Sequence, residues 1–168
     1  MTRSTLLCLI AVCAQSLALA NEVKLSATQQ ADTTGQILYG IRTTAYTHSE
    51  SDHIKYGGRT AAGTSLRYGQ VRSAAADWSV YPVGTVFQIE GDASLYVVDD
   101  YGSALVGTRT IDLYKPSTSS MNSWGVRKVN IKILKWGSFS KSLAILKPRQ
   151  SKASHVRQMV TRLQGRPA

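Results

Sequence analysis

Between Gln36 and Trp136 the chain is a succession of short strand-forming runs, none long enough to need a helix beside it. Ile37–Tyr46 is β-branched and aromatic, Val83–Ile89 alternates apolar and polar residues, and Leu95–Val98, Thr110–Tyr114 and Val129–Trp136 follow the same habit. Glycine and polar turn residues stand between them: Gly63 in Thr60–Thr64, Gly91-Asp92, and Tyr101–Gly107. Parallel sheets covered by helices need crossover segments of a dozen or more residues. Spacing this close predicts a small all-β barrel instead. Ser117–Ser123 is the one candidate helix within this stretch, with Met121 and Trp124 directed inward.

The ends read differently. Residues 1–20 have a basic start at Arg3, an apolar run from Leu6 to Leu19 and the small-x-small triplet Ala18-Leu19-Ala20, the pattern of a secretory signal peptide. The apolar run is short and interrupted for a membrane span. Val12 before Cys13 does not suit a lipoprotein signal. Cleavage after Ala20 removes the first 20 of 168 residues and leaves 148, and both cysteines, Cys8 and Cys13, leave with the leader. The exported chain then has no thiol nucleophile, disulfide or cysteine metal ligand. Residues 21–35 are small and polar and read as a flexible lead-in. Residues 138–168 form a basic, serine-rich tail in which Val156, Met159, Val160 and Leu163 recur at helical spacing, with Ser154 at the start and Gly165 and Pro167 at the end.

Charge is distributed unevenly. The chain carries 20 basic and 10 acidic residues, and no acidic residue follows Asp112. A basic C-terminal block seeks a polyanion. For an exported chain that means an anionic wall polymer or a membrane surface, and not nucleic acid.

Scarce carboxylates inside apolar segments are the strongest chemical signal. Asp77 lies in Ala-Asp-Trp, Asp100 at a strand end before a glycine-containing turn, and Asp112 between Ile111 and Leu113. Carboxylates in such settings acquire shifted proton affinities. Positioned carboxylates with no metal and no cofactor are what glycosidic cleavage requires. Capping of turns by Asp77 and Asp100 is the structural alternative. A second constellation, His48, Glu50, Asp52 and His53, has the ligand types of a zinc site, but all four fall in one loop. A solvated loop beside a groove is the preferred reading, with no metal. No phosphate-cradling loop or serine elbow is present.

Six blocks give these aspartates a context: Thr44-Ala45-Tyr46, Thr60-Ala61-Ala62-Gly63, Ala76-Asp77, Tyr81–Thr85, Asp100–Gly107 and Ile111-Asp112-Leu113-Tyr114. In this order they resemble the three-aspartate (3D) domain, shared with membrane-bound lytic transglycosylase A and wall-remodelling proteins. The resemblance covers about residues 40–137. It implies a six-stranded double-psi β-barrel over 36–137, followed by a short helical or disordered basic tail. It also implies cleavage of peptidoglycan glycan strands to 1,6-anhydro-muramoyl ends, with a wall-binding module as the alternative. Asp112 is then the catalytic acid, Asp100 its assistant and Asp77 an organiser of the site. Tyr46, Thr60, Trp78, Tyr101, Gly102 and Ser103, in or beside the blocks, become the expected substrate contacts, with the three aromatic residues able to stack on sugars or to join the core. Two departures stand out. Ser103 replaces the second glycine usual in its block, and the gap from Gly107 to Asp112 is one residue longer. A bulge must absorb that residue for Asp112 to keep its face.

Overall fold

The computed structural model describes residues 35–49 and 57–166. The leader, both cysteines, the lead-in before Gly35, and Glu50, Asp52 and His53 lie outside the described residues.

Six strands close into a barrel: β1 (Ile37–Tyr46), β2 (Val71–Ala75), β3 (Val86–Ile89), β4 (Leu95–Asp100), β5 (Ile111–Tyr114) and β6 (Arg127–Lys135). Around the barrel the order is β1-β5-β2-β4-β3-β6. The pairs β1/β5 and β2/β4 are parallel and the other four are antiparallel. Closure leaves no strand edge to be protected. This is the six-stranded barrel implied by the resemblance.

Alternation along the strands fills the interior. Ile41, Ala74, Phe87, Val98, Ile111, Leu113, Ile131 and Ile133 are buried there. β2 had no strand signal of its own, because Val-Arg-Ser-Ala-Ala carries little β-branched character. Its residues are small because β2 is crowded, running beside β4 and β5, and Ser73 through Ala75 are all buried.

The C-terminal segment completes this core. Helix α1 (Thr118–Trp124) is capped by Ser117 through a reciprocal bond pair with Ser120, and it is followed by α2 (Phe139–Leu146) and α3 (Ser154–Gln164). The stripe expected on α3 is buried: Val156, Met159, Val160 and Leu163 join Leu146 of α2 in the barrel's own hydrophobic cluster. Five such side chains contribute roughly 1.5–3 kcal/mol each. The tail is therefore helical and packed. Its helix starts without a side-chain cap, Ala153 holding the place expected of Ser154. At the joint between β6 and α2, a Cβ on Gly137 would lie 2.3 Å from the Val83 carbonyl oxygen and 2.5 Å from the Thr85 nitrogen, so only glycine fits.

Candidate functional site

Pairing register, more than loop structure, assembles the site. Thr44 of β1 stands opposite Asp112 of β5, Asp112 opposite Ala75 of β2, and Ala75 opposite Asp100 of β4. Ile111 and Leu113 point into the core, so Asp112 and Tyr114 face outward. One row across four strands thus reads Thr44, Asp112, Ala75, Asp100. The two acids flank Ala75, whose small side chain is covered by Tyr46, Leu105 and Tyr114. Their backbones lie two strand spacings apart, roughly 10 Å. Asp112 is partly exposed, and the Thr44 hydroxyl donates to its Oδ1 at 2.6 Å.

A β-bulge explains how Asp100 reaches this row. Ala74 pairs with Val98 and the next residue, Ala75, pairs with Asp100, so Asp99 is inserted without an opposite number. Asp99 and Asp100 consequently lie on the same outer face. The bulge falls in β4, ahead of the Gly107–Asp112 gap where the sequence suggested one. Asp100 Oδ1 accepts from the backbone nitrogens of Ala61 at 3.0 Å and Tyr101 at 2.9 Å, and Oδ2 accepts from the Tyr46 hydroxyl at 3.2 Å. Burial, then the charges of Asp100 and Asp99, hold the Tyr46 phenol well above its usual range, so it remains a donor. Tyr46 packs with Ala75, Leu105 and Tyr114 into a small apolar cluster beside the acids. Asp99 takes Ser73 Oγ at 2.9 Å and Arg67 at 3.0 Å. Its burial raises the carboxyl above the ordinary carboxylate range despite these two partners.

Asp77 occupies a different environment. It is fully buried, and its oxygens accept from the Ser79 nitrogen and hydroxyl, the Gly107 nitrogen and Arg162 of α3. The Arg162 ion pair is 2.9 Å long. Asp77 joins three segments: its own turn, the Gly107 turn and the last helix.

The remaining expected contacts divide. Trp78 is fully buried and donates from Nε1 to the Asp100 carbonyl at 2.8 Å. It offers no ring face to a sugar, and it holds the acid's backbone from beneath. Thr60 is buried and closes its turn through Thr64. Tyr101 is partly exposed, edge-on to Trp78 at 5.1 Å and near His155 of α3. Gly102 and Ser103 open the short 3-10 turn that carries Leu105 into the apolar cluster. Sequence reasoning missed Thr44, Ala75, Asp99 and Tyr114 as neighbours of the acids, and Tyr68, which packs edge-on to Tyr114 at 6.5 Å. Tyr114 was within reach, being two residues beyond Asp112 on one strand. His48, one of the four loop residues with zinc-ligand chemistry, has its Nδ1 2.8 Å from the Tyr114 hydroxyl.

A cavity of about 460 Å³ opens elsewhere, between the start of β1 and the β3–β6 pair, lined by residues such as Tyr39, Ile89, Glu90 and Lys132. None of the three aspartates borders it. Among the described residues no helix is long and apolar enough to cross a membrane.

Comparison with known proteins agrees with this architecture. The chain is 36% identical over 104 residues to YabE of Bacillus subtilis (strain 168), whose name proposes a cell wall shaping role. It is 33% identical over 95 residues to YocH of the same organism, named a cell wall-binding protein. The matches cover 61% and 56% of this chain but only 24% and 31% of those proteins, so the chain spans less than a third of either relative. Residues 72–135, from β2 to the end of β6, match the family model of the 3D domain.

Proposed function

We propose that this domain binds the glycan strands of peptidoglycan and cleaves the bond between N-acetylmuramoyl and N-acetylglucosaminyl residues as a lytic transglycosylase, exported to the cell envelope. The observation that carries this reading is the row Asp112, Ala75, Asp100, with a partly exposed acid beside a small residue and a second, well-anchored carboxylate beyond it. Asp112 donates its proton to the glycosidic oxygen. The C1–O bond breaks, the C6 hydroxyl of the same muramoyl residue bonds to C1, and its proton passes to Asp112. Intramolecular attack has a high effective molarity. Such attack needs no second, nucleophilic carboxylate, which leaves Asp100 a positioning role. Asp100, anchored by the Ala61 and Tyr101 nitrogens, orients Tyr46 over Ala75.

The YocH name supports a second reading, a wall-binding module with little turnover. Digestion of purified sacculi separates the two. Released muropeptides one water lighter than hydrolysis products, lost in Asp112→Asn, support the first. Retention on sacculi without soluble product, unchanged in Asp112→Asn, supports the second and overturns the first.

A further inference from the structure

Three residues beyond Asp112, roughly 10 Å along the strand direction, Lys115 occupies an unusual place. It is only 5% exposed. Its ammonium stands 4.4 Å from the Trp124 ring centre and 5.6 Å from that of Tyr68. Such ring faces attract a cation but accept no conventional hydrogen bond. Among the described residues no hydroxyl, carbonyl or carboxylate bonds or ion-pairs with this ammonium; Asp92, the acid whose charge reaches it, pairs with Arg72 at 3.6 Å. Two further cations share the same rings: Arg72 lies 4.5 Å over Tyr68 and Arg127 lies 4.2 Å over Trp124. Burial and the neighbouring Arg72 lower the Lys115 proton affinity, as expected for an ammonium held near like charge without an acceptor.

An ammonium has three donors, and with no protein acceptor on this one they are open to an anion that enters the site. The aromatic residues also connect this site to the acids. Tyr46 packs on Tyr114 at 5.6 Å, Tyr114 meets Tyr68 at 6.5 Å, and Tyr68, 42% exposed, carries the cations. A glycan lying over Asp112 would therefore bring its substituents toward Lys115.

We propose that Lys115, supported by Arg72 and Arg127, is an oxyanion subsite that selects glycans bearing anionic substituents, above all the carboxylates of peptide stems. This rests on the glycan-binding reading above. It gives the domain a way to tell a peptide-bearing wall strand from a neutral polymer of N-acetylglucosamine. The shared chemistry, an oxyanion meeting a partly dehydrated ammonium, would also admit the phosphate of a wall polymer.

The test is binding of the full chain to four probes: neutral chito-oligosaccharides, stem-free glycan strands that retain the lactyl carboxylate, stem-bearing sacculi stripped of phosphate polymers, and unstripped sacculi. Wild type should prefer the anionic probes, with affinity falling as salt rises. Lys115→Gln should reduce that preference about tenfold or more, while Lys115→Arg retains most of it. Arg127→Gln, at an exposed position, should cause a smaller fall of the same sign, and it provides the test if Lys115→Gln does not fold. A preference confined to stripped stem-bearing sacculi assigns the carboxylate; one confined to unstripped sacculi assigns the phosphate, and both support the subsite. Equal binding of wild type and both glutamine variants to every probe overturns it, even when sacculi are cleaved. A Lys115-dependent preference without anhydro products leaves the subsite standing and overturns the transglycosylase reading alone.

Discussion

Asp77 and Asp112 are the outer members of one three-aspartate signature, yet the barrel treats them oppositely. Asp77 is sealed, with four donors, one of them an arginine drawn from the last helix. Asp112 is partly exposed, on an outward strand position opposite Ala75. A carboxylate saturated by fixed donors has neither access nor spare capacity for chemistry. A partly exposed carboxylate can meet a substrate. The comparison teaches that shared membership of a signature says little about role; the number of donors and the access to solvent say more.

The sharpest way to break the comparison is to mutate both acids. Asp112→Asn should cut release of anhydro muropeptides by at least about 100-fold, the usual scale of general acid catalysis, with the thermal midpoint nearly unchanged. Asp77→Ala should do the reverse: unfolding free energy, read by urea titration, should fall by roughly 3–5 kcal/mol, because buried donors and Arg162 lose their acceptor. A stable Asp77→Ala protein with lost activity would reverse the roles assigned here.

Between these extremes, Tyr46→Phe removes the hydroxyl on Asp100 without emptying the apolar cluster. About a tenfold loss of turnover is expected, the equivalent of one hydrogen bond, with binding to sacculi retained. Asp99 gives a test by pH. Its folded carboxyl is raised above the ordinary value of 3.8 by burial, so the folded state binds the proton more tightly than the unfolded chain. The stability it contributes is present below the ordinary value and is lost as pH rises through the raised one. Asp99→Asn should flatten that part of a stability-versus-pH curve while leaving Asp112-dependent release in place. The smallest effect is expected from Arg149→Ala. Arg149 donates to the Ala61 carbonyl at 2.8 Å, and the adjoining Ala62 nitrogen bonds the Asp99 carbonyl. About 1 kcal/mol or less of stability should be lost, with a small fall in turnover.

How far the residues alone reveal this molecule depends on what each feature requires. β1 and β5 announce themselves through β-branched and aromatic alternation, and Asp112 can be placed on its strand by its flanking Ile111 and Leu113. The α3 stripe is equally plain. β2 cannot be read this way, because its small residues answer to the crowding of two neighbours and not to strand propensity. The site shares that difficulty. Thr44, Ala75 and Asp100 become neighbours of Asp112 only through register between strands far apart in sequence. Trp78 and Tyr46 look alike in one dimension, though one supports a backbone from below and the other presents a hydroxyl to an acid. Lys115 reads as one more member of a basic block until Trp124 and Tyr68 close around it.

The extra residue in β4 has a consequence for how such a surface could arise or be lost. Because strand side chains alternate, closing the bulge so that Asp99 pairs with Ala75 would turn the carboxyl of the following aspartate toward the oily interior. A one-residue slip of the pairing, with no change in the letters, would then separate the two acids onto opposite sides of the wall. Chains of similar sequence can thus share the barrel and differ in whether it has a working face, and the register of β4 is the place to look for that distinction.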